Sequence, residues 1–82
     1  MVDSTGSEAM TYWQYSARIW GPKNEQIDNV LSVAVGSERE GKSRLQEVLM
    51  ESVTEYGGNL RWVALQESEN GRSWREVARR LN

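Results

Sequence analysis

The stretch from residue 30 to residue 49 constrains the fold most, because its apolar spacing changes from that of a strand to that of a helix. Between the two patterns, residues 36–43 read Gly-Ser-Glu-Arg-Glu-Gly-Lys-Ser and match the phosphate-loop pattern G-x-x-x-x-G-K-S. The sequence therefore predicts a strand, a glycine-containing connection and a helix in succession. The alternating apolar residues are Leu31, Val33 and Val35, and those at helical spacing are Leu45, Val48 and Leu49.

Ser37 and Glu40 favour a helix start over an anion-binding loop. A serine followed three residues later by a glutamate is a capping box, which would begin the helix at Glu38. Glu38 with Lys42, and Glu40 with Arg44, are then i,i+4 ion pairs in the favourable order. The two carboxylates would also repel a bound phosphate. We therefore expect this segment to form the first turn of a helix.

The predicted helix spans residues 38–56 and ends at Gly57-Gly58. On this helix Gly41 lies on the buried side, where its missing side chain would let the first turn approach the sheet. An acidic stripe faces solvent, and we expect no metal site there because carbonyl ligands and a tight loop are lacking. The acidic stripe consists of Glu47, Glu51 and Glu55, and the buried face of Leu45, Val48, Leu49, Val53 and Tyr56.

Three strands are predicted around this helix. Residues 11–20 alternate between two faces, residues 21–24 form a turn, and residues 27–35 make a second strand, so the first two strands should form an antiparallel hairpin. Residues 59–66 are apolar on both faces, which indicates a strand that is covered on both sides or belongs to an interface. Residues 1–10 are rich in serine, glycine and acid, and we expect a disordered tail.

A second capping box, Ser73 with Glu76, and apolar residues at helical spacing predict a final helix. The run from residue 71 to residue 81 resembles the first helix of a helix-turn-helix unit, but no second helix follows before Asn82, so we place it on the sheet. The predicted fold is α+β in the order β-β-α-β-α, with a three-stranded antiparallel or mixed sheet and two helices packed on one face. The apolar residues of this final helix are Trp74, Val77, Ala78 and Leu81.

Composition excludes most classes of enzyme. The 82 residues include neither His nor Cys, which removes the commonest general base, thiol nucleophiles, disulfides and most zinc and iron–sulfur ligands. We therefore expect a non-enzymatic protein without cofactor or metal, made of a single domain over residues 11–82. No apolar run approaches the length of a membrane-spanning helix, which favours a soluble, cytoplasmic protein.

A sheet with both helices on one side leaves its other face open, and that face supplies candidate binding residues. Tyr, Trp and Arg, which are favoured at protein interfaces, occur on the outward side of the first predicted strand. The net charge of the chain is −2, but residues 57–82 carry +2, and the arginines of the predicted last helix would be solvated or face an acidic patch on a partner. The protein-interface candidates are Tyr12, Arg18, Trp20, Arg75, Arg79 and Arg80.

The leading hypothesis is a small non-enzymatic protein-binding module that acts by surface contact, in the manner of a phage or mobile-element inhibitor or accessory protein. Its partner would be another protein or a second copy of this chain, without a membrane. A first alternative is nucleic acid, whose bases would stack on sheet aromatics beside arginines, although the small net charge argues against it. A second alternative is a minimal nucleotide binder that uses Gly36, Gly41, Lys42 and Ser43.

Overall fold

In the part of the chain that the structure describes, four strands and one long helix make up the fold. The computed structural model describes residues 11–31 and 35–82, so the predicted N-terminal tail and Val33 lie outside the described residues. The strands form one antiparallel sheet in the order β2-β1-β3-β4, and α1 packs on one face of it. The elements are β1 (Tyr12–Trp20), β2 (Gln26–Leu31), α1 (Glu38–Tyr56), a 3₁₀ turn (Gly57–Asn59), β3 (Leu60–Ser68) and β4 (Arg75–Leu81).

The hairpin predicted from the first two strands is confirmed. The Asn24 amide donates to the Gly21 carbonyl over 3.0 Å, and Asn24 has a φ of 63°, which asparagine tolerates better than most residues. Pro22 supplies the fixed φ that suits the second position of such a turn. Trp20 then lies opposite Gln26, and β1 and β2 pair from this point onward.

The hydrophobic core lies between α1 and one side of β1 and β3. Tyr15, Ala17 and Ile19 are buried, as their alternation predicts. On β3, Val63 lies opposite Ala17 and Leu65 lies opposite Tyr15, so these pairs form the floor on which the helix rests. The helix residues buried on this floor are Leu45, Val48 and Leu49, with Val53 and Tyr56 half-buried at its margin.

The helix α1 begins at Glu38, as predicted, because Ser37 caps its N-terminus. Ser37 Oγ accepts a hydrogen bond from the Glu40 amide over 3.1 Å, and the Glu40 carboxylate accepts one from the Gly36 amide over 3.2 Å. The glutamate thus bonds one residue earlier than in the usual capping box. Together the two bonds occupy amides at the start of the helix that have no intrahelical acceptor.

One of the two predicted ion pairs on α1 forms. Lys42 Nζ lies 2.8 Å from Glu38 Oε2. Arg44 does not pair with Glu40 as expected, and its Nε lies 4.0 Å from Glu47 Oε1 instead. The reason is that the Glu40 carboxylate already accepts a backbone amide in the cap.

Gly41 lies on the buried side of the first helical turn, which confirms the prediction. A Cβ atom at this position would lie 2.7 Å from Leu65 Cδ1, well inside van der Waals contact. The Gly41 carbonyl accepts a hydrogen bond from the buried Tyr15 hydroxyl over 2.8 Å. The missing side chain therefore allows a close approach of helix to sheet, and the Tyr15 bond ties the start of α1 to β1.

The predicted three-stranded sheet with two helices is wrong, because the segment predicted as the last helix forms β4. This strand pairs antiparallel with β3 and extends the sheet to four strands. The connection turns at Asn70-Gly71, a dipeptide that strongly favours hairpins. Gly71 has a φ of 77°, and Ser68 Oγ accepts hydrogen bonds from the amides of both turn residues. Asn70 Oδ1 accepts from the amides of Arg72 and Ser73.

A β-bulge explains why the last segment has helical spacing. Leu65 lies opposite Ala78 and Gln66 lies opposite Glu76, so Val77 is an extra residue on β4. Val77 and Ala78 consequently both pack against the core, although they are adjacent in the sequence. Two adjacent inward residues imitate one turn of a helical stripe, and this imitation led to the wrong prediction.

The strand order decides between the two sheets that the sequence left open. β1 lies between β2 and β3, so the described sheet is antiparallel throughout and the mixed order is wrong. β3 is an inner strand between β1 and β4, and Val63, Ala64 and Leu65 are completely buried. Both faces of β3 are therefore covered at these residues, which explains why the strand is apolar on both faces.

Candidate functional site

Among the described residues, no helix covers the second face of the sheet, and the strand register decides which residues lie on it. On β1, the residues that alternate with buried Tyr15 and Ala17 point to this side. We call it the helix-free face. The register aligns one row of residues across its four strands, namely Asp28, Arg18, Trp62 and Leu81.

Two tryptophans and three arginines meet on the helix-free face and form what we call the arginine–tryptophan cluster: Arg18, Trp20, Arg61, Trp62 and Arg79. The Trp62 ring has two guanidinium groups near it, that of Arg18 at 5.6 Å from the ring centroid and that of Arg79 at 4.2 Å. The Arg61 guanidinium lies 4.9 Å from the centroid of the Trp20 ring. At these distances each pair is a cation–π contact, worth about 0.5–1 kcal/mol at an exposed site.

A second β-bulge brings Arg61 into the cluster. Trp62 lies opposite Arg18 and Leu60 lies opposite Ile19, so Arg61 is an extra residue on β3. Arg61 and Trp62 therefore both reach the cluster, while Leu60 stays in the core. Regular alternation would have turned Arg61 toward the opposite face.

Carboxylates of the same sheet hold two of the three arginines in place. Arg18 makes a two-pronged ion pair with Asp28, in which Nη2 donates to Oδ2 over 3.0 Å. Arg79 Nη2 donates to Glu76 Oε1 over 2.6 Å. Within residues 11–31 and 35–82, no carboxylate lies within 4.0 Å of Arg61. The cluster is thus a nearly neutral group of aromatic rings and fixed guanidinium groups, with one arginine that no described carboxylate neutralises.

Beside the cluster, Ser16 and Ala64 are buried although no described helix covers them. They lie opposite each other, and Arg79 lies opposite Ala64. Small side chains in this row leave room for the long side chains of neighbouring rows to lie over them. Exposed apolar surface on this face is therefore found at the sheet edges, where Val30 is 65% exposed and Leu81 is 70% exposed.

Of the interface residues predicted from the sequence, Arg18, Trp20 and Arg79 come together in the cluster. Tyr12 lies on the same face and is exposed. It is at the other end of β1 from Trp20, however, about 26 Å away at roughly 3.3 Å per residue. The structure therefore places Tyr12 outside the cluster.

Arg75 and Arg80 lie on the helix-bearing side of the sheet. Arg75 lies opposite Glu67 and forms an ion pair with it, and Arg80 lies opposite Val63, which is in the core. In a helix, residues 75, 79 and 80 would share one side, but in a strand adjacent residues point to opposite faces. The strand therefore separates Arg80 from Arg79, and the β-bulge at Val77 turns Arg75 to the side opposite Arg79.

Sequence reasoning missed Arg61, Trp62 and Leu81. The signal for Trp62 was present, because a strand with Val63 and Leu65 in the core must turn Trp62 to the other face. Leu81 was assigned to the buried stripe of a helix that does not form. Arg61 depends on a bulge that no pattern in the sequence marks.

The residues of the phosphate-loop pattern are bonded within the start of α1. The Gly36 amide donates to the Glu40 carboxylate, and the Gly41 amide donates to the Ser37 carbonyl over 3.0 Å. Lys42 pairs with a glutamate one turn before it, and Ser43 Oγ donates to the Glu40 carbonyl over 2.9 Å. Each group that would hold a nucleotide thus already has a partner in the helix.

Comparisons with protein-family models, with curated proteins and with solved structures find no match for this chain. In the described ranges, no helix is both long enough and apolar enough to cross a membrane.

Proposed function

We propose that this chain is a small protein-binding module and that the arginine–tryptophan cluster on the helix-free face is the centre of its interface. The observation that supports this proposal best is the Trp62 ring, which has Arg18 and Arg79 near it and Leu81 beside it in the same row. Tryptophan and arginine are the residues that most often dominate binding energy at protein interfaces. Fixed guanidinium groups also lose little freedom on binding.

Charge favours a protein partner over single-stranded nucleic acid. Phosphate contacts supply much of the affinity for nucleic acid, and they require cations that are free to pair. Arg18 and Arg79 are already paired with Asp28 and Glu76, which leaves Arg61 as the cluster arginine without a described carboxylate.

The proposal also includes a location: we propose that the protein binds its partner in the cytoplasm.

Affinity capture with matched variants tests this function. The full chain, a Trp62→Ala variant and a Met50→Ala variant would be immobilised and exposed to an extract of the source cells. Met50 is a suitable control because it is 56% exposed on α1, away from the helix-free face. A true partner should be retained by the full chain and by the Met50 variant, and Trp62→Ala should weaken it by about 30-fold or more, as for an interface hot spot.

Equal capture of every retained protein by the Trp62 and Met50 variants would contradict the proposal. Light scattering of the free chain decides whether the partner is a second copy, since a dimer should then dissociate in Trp62→Ala. Fluorescence anisotropy with a labelled single-stranded oligonucleotide tests the alternative that the cluster binds nucleic acid. Binding that weakens steeply with salt and is lost in Trp62→Ala would support that alternative instead.

A further inference from the structure

β4 is an edge strand, and part of its backbone points away from the sheet. The Asn82 amide donates to the Arg61 carbonyl over 3.0 Å, so these two residues form a hydrogen-bonded pair. Bonded and non-bonded pairs alternate along an antiparallel ladder. Arg80 is therefore bonded to β3, whereas Arg79 and Leu81 direct their N–H and C=O groups outward. No strand of the described residues pairs with these outward groups.

The charge along this edge is strongly positive. Residues 72–81 carry four arginines against one glutamate, a net charge of +3. Arg80 lies on the helix-bearing side of the edge, and no carboxylate of the described chain lies within 4.0 Å of it. Two copies of this edge paired with each other would bring like charges together, which opposes self-association here. An acidic occupant fits the edge better.

We propose that β4 accepts an extended acidic segment of the protein partner as a fifth strand of the sheet. This proposal rests on the proposed protein-binding function and specifies the conformation and charge of the bound segment. The added strand bonds to the backbone of Arg79 and Leu81. Its alternate side chains lie beside the arginine–tryptophan cluster on one face and beside Arg80 on the other, where a carboxylate meets an available guanidinium.

An NMR titration of the ¹⁵N-labelled full chain tests the proposal at low ionic strength. The probe is a capped peptide of four glutamate-valine repeats, and the control is the corresponding lysine-valine peptide. Amide shifts should concentrate at residues 78–82, and the glutamate peptide should bind about tenfold or more tightly than the lysine peptide. Arg80→Glu should reverse this preference, because it exchanges the sign of the charge that the added strand meets.

Leu81→Pro and Leu81→Val separate backbone pairing from side-chain contact. Proline removes the outward N–H of residue 81, which β3 does not use, and proline is tolerated at such edge positions. Leu81→Pro should lower the affinity for the glutamate peptide by about tenfold, which is the effect of one lost hydrogen bond. Leu81→Val should lower this affinity by less than about twofold. If Leu81→Pro disturbs the spectrum beyond β4, the Arg80→Glu reversal still decides the question.

Edge addition would be overturned by no shift with either peptide, by no preference between the peptides, by equal binding of the two Leu81 variants, or by shifts confined to Trp20 and Trp62. The last outcome would leave the proposed interface on the helix-free face intact. The proposed protein-binding function is tested separately, by affinity capture with the Trp62→Ala variant. A single-stranded oligothymidine that shifts the same β4 amides as strongly as the glutamate peptide would also overturn the proposal.

Discussion

At the scale of single residues, Gly41 sets the distance between helix and sheet. In Gly41→Ala the new Cβ would lie 2.7 and 2.8 Å from the two Leu65 methyl carbons and 3.1 Å from Val35 Cγ1. Overpacking costs about 1–3 kcal/mol, whereas alanine gains about 1 kcal/mol in helix propensity. We expect a net loss of about 1 kcal/mol in the free energy of unfolding, measured by urea denaturation.

Gly58→Ala is the matched control for this substitution. A Cβ at Gly58 would have no heavy atom within 4 Å, so no packing penalty applies there. Its free energy of unfolding should stay within about 0.5 kcal/mol of the parent value. A Gly41→Ala variant more stable than the parent would show that helix and sheet are not in the close contact described.

Tyr15 links stability to pH. Burial raises the pKa of its hydroxyl above the ordinary value near 10, and this outweighs the opposing effect of Arg44. The stabilisation from this shift is therefore fully present below about pH 10 and is lost as pH rises through the higher pKa of the folded state. Above pH 10, the free energy of unfolding should fall more steeply in the parent than in Tyr15→Phe.

At neutral pH, Tyr15→Phe should lower the free energy of unfolding by about 1–2 kcal/mol, because the Gly41 carbonyl loses its buried donor. The exposed Tyr12 is the control: Tyr12→Phe should leave the stability at pH 7 unchanged. Parallel pH profiles for the parent and Tyr15→Phe would contradict a buried, bonded Tyr15 hydroxyl.

At the scale of elements, the hairpin that connects β3 and β4 depends on Asn70. Its side-chain oxygen accepts from two amides of the turn, so Asn70→Ala should destabilise the protein by about 1 kcal/mol. Glu69→Ala, at an exposed neighbouring position, should leave stability nearly unchanged. Carbon chemical shifts of residues 75–81 should report extended backbone, and helical shifts there would contradict β4.

An element could be predicted from the sequence when the residues that determine it lie within its own segment. The helix α1 was predictable because its cap and its glycine end lie within the segment itself. β4 was not, because a bulge makes its apolar residues imitate a helical stripe, although Asn70-Gly71 before it is a local hairpin signal. The grouping of Arg18 and Arg79 around Trp62 could not be predicted from the sequence, because it depends on the register of three strands.

At the scale of the whole molecule, the described residues form a sheet with the helix α1 on one face and no described helix on the other. The helix-bearing side holds the core, and the helix-free face carries the arginine–tryptophan cluster at one end of the strands and exposed apolar residues at the sheet edges. On the helix-free face, Ser16 and Ala64 are buried. We expect a partner to meet a surface that changes little on binding.

The most direct test of this account follows the tryptophan indole N–H signals of the ¹⁵N-labelled chain while a captured partner is added. Trp20 and Trp62 belong to the cluster on the helix-free face, whereas Trp13 packs against the core on the other side and serves as an internal control. The Trp20 and Trp62 signals should shift or broaden, and the Trp13 signal should stay unchanged. A partner that changes the Trp13 signal while leaving Trp20 and Trp62 unaffected would contradict this expectation.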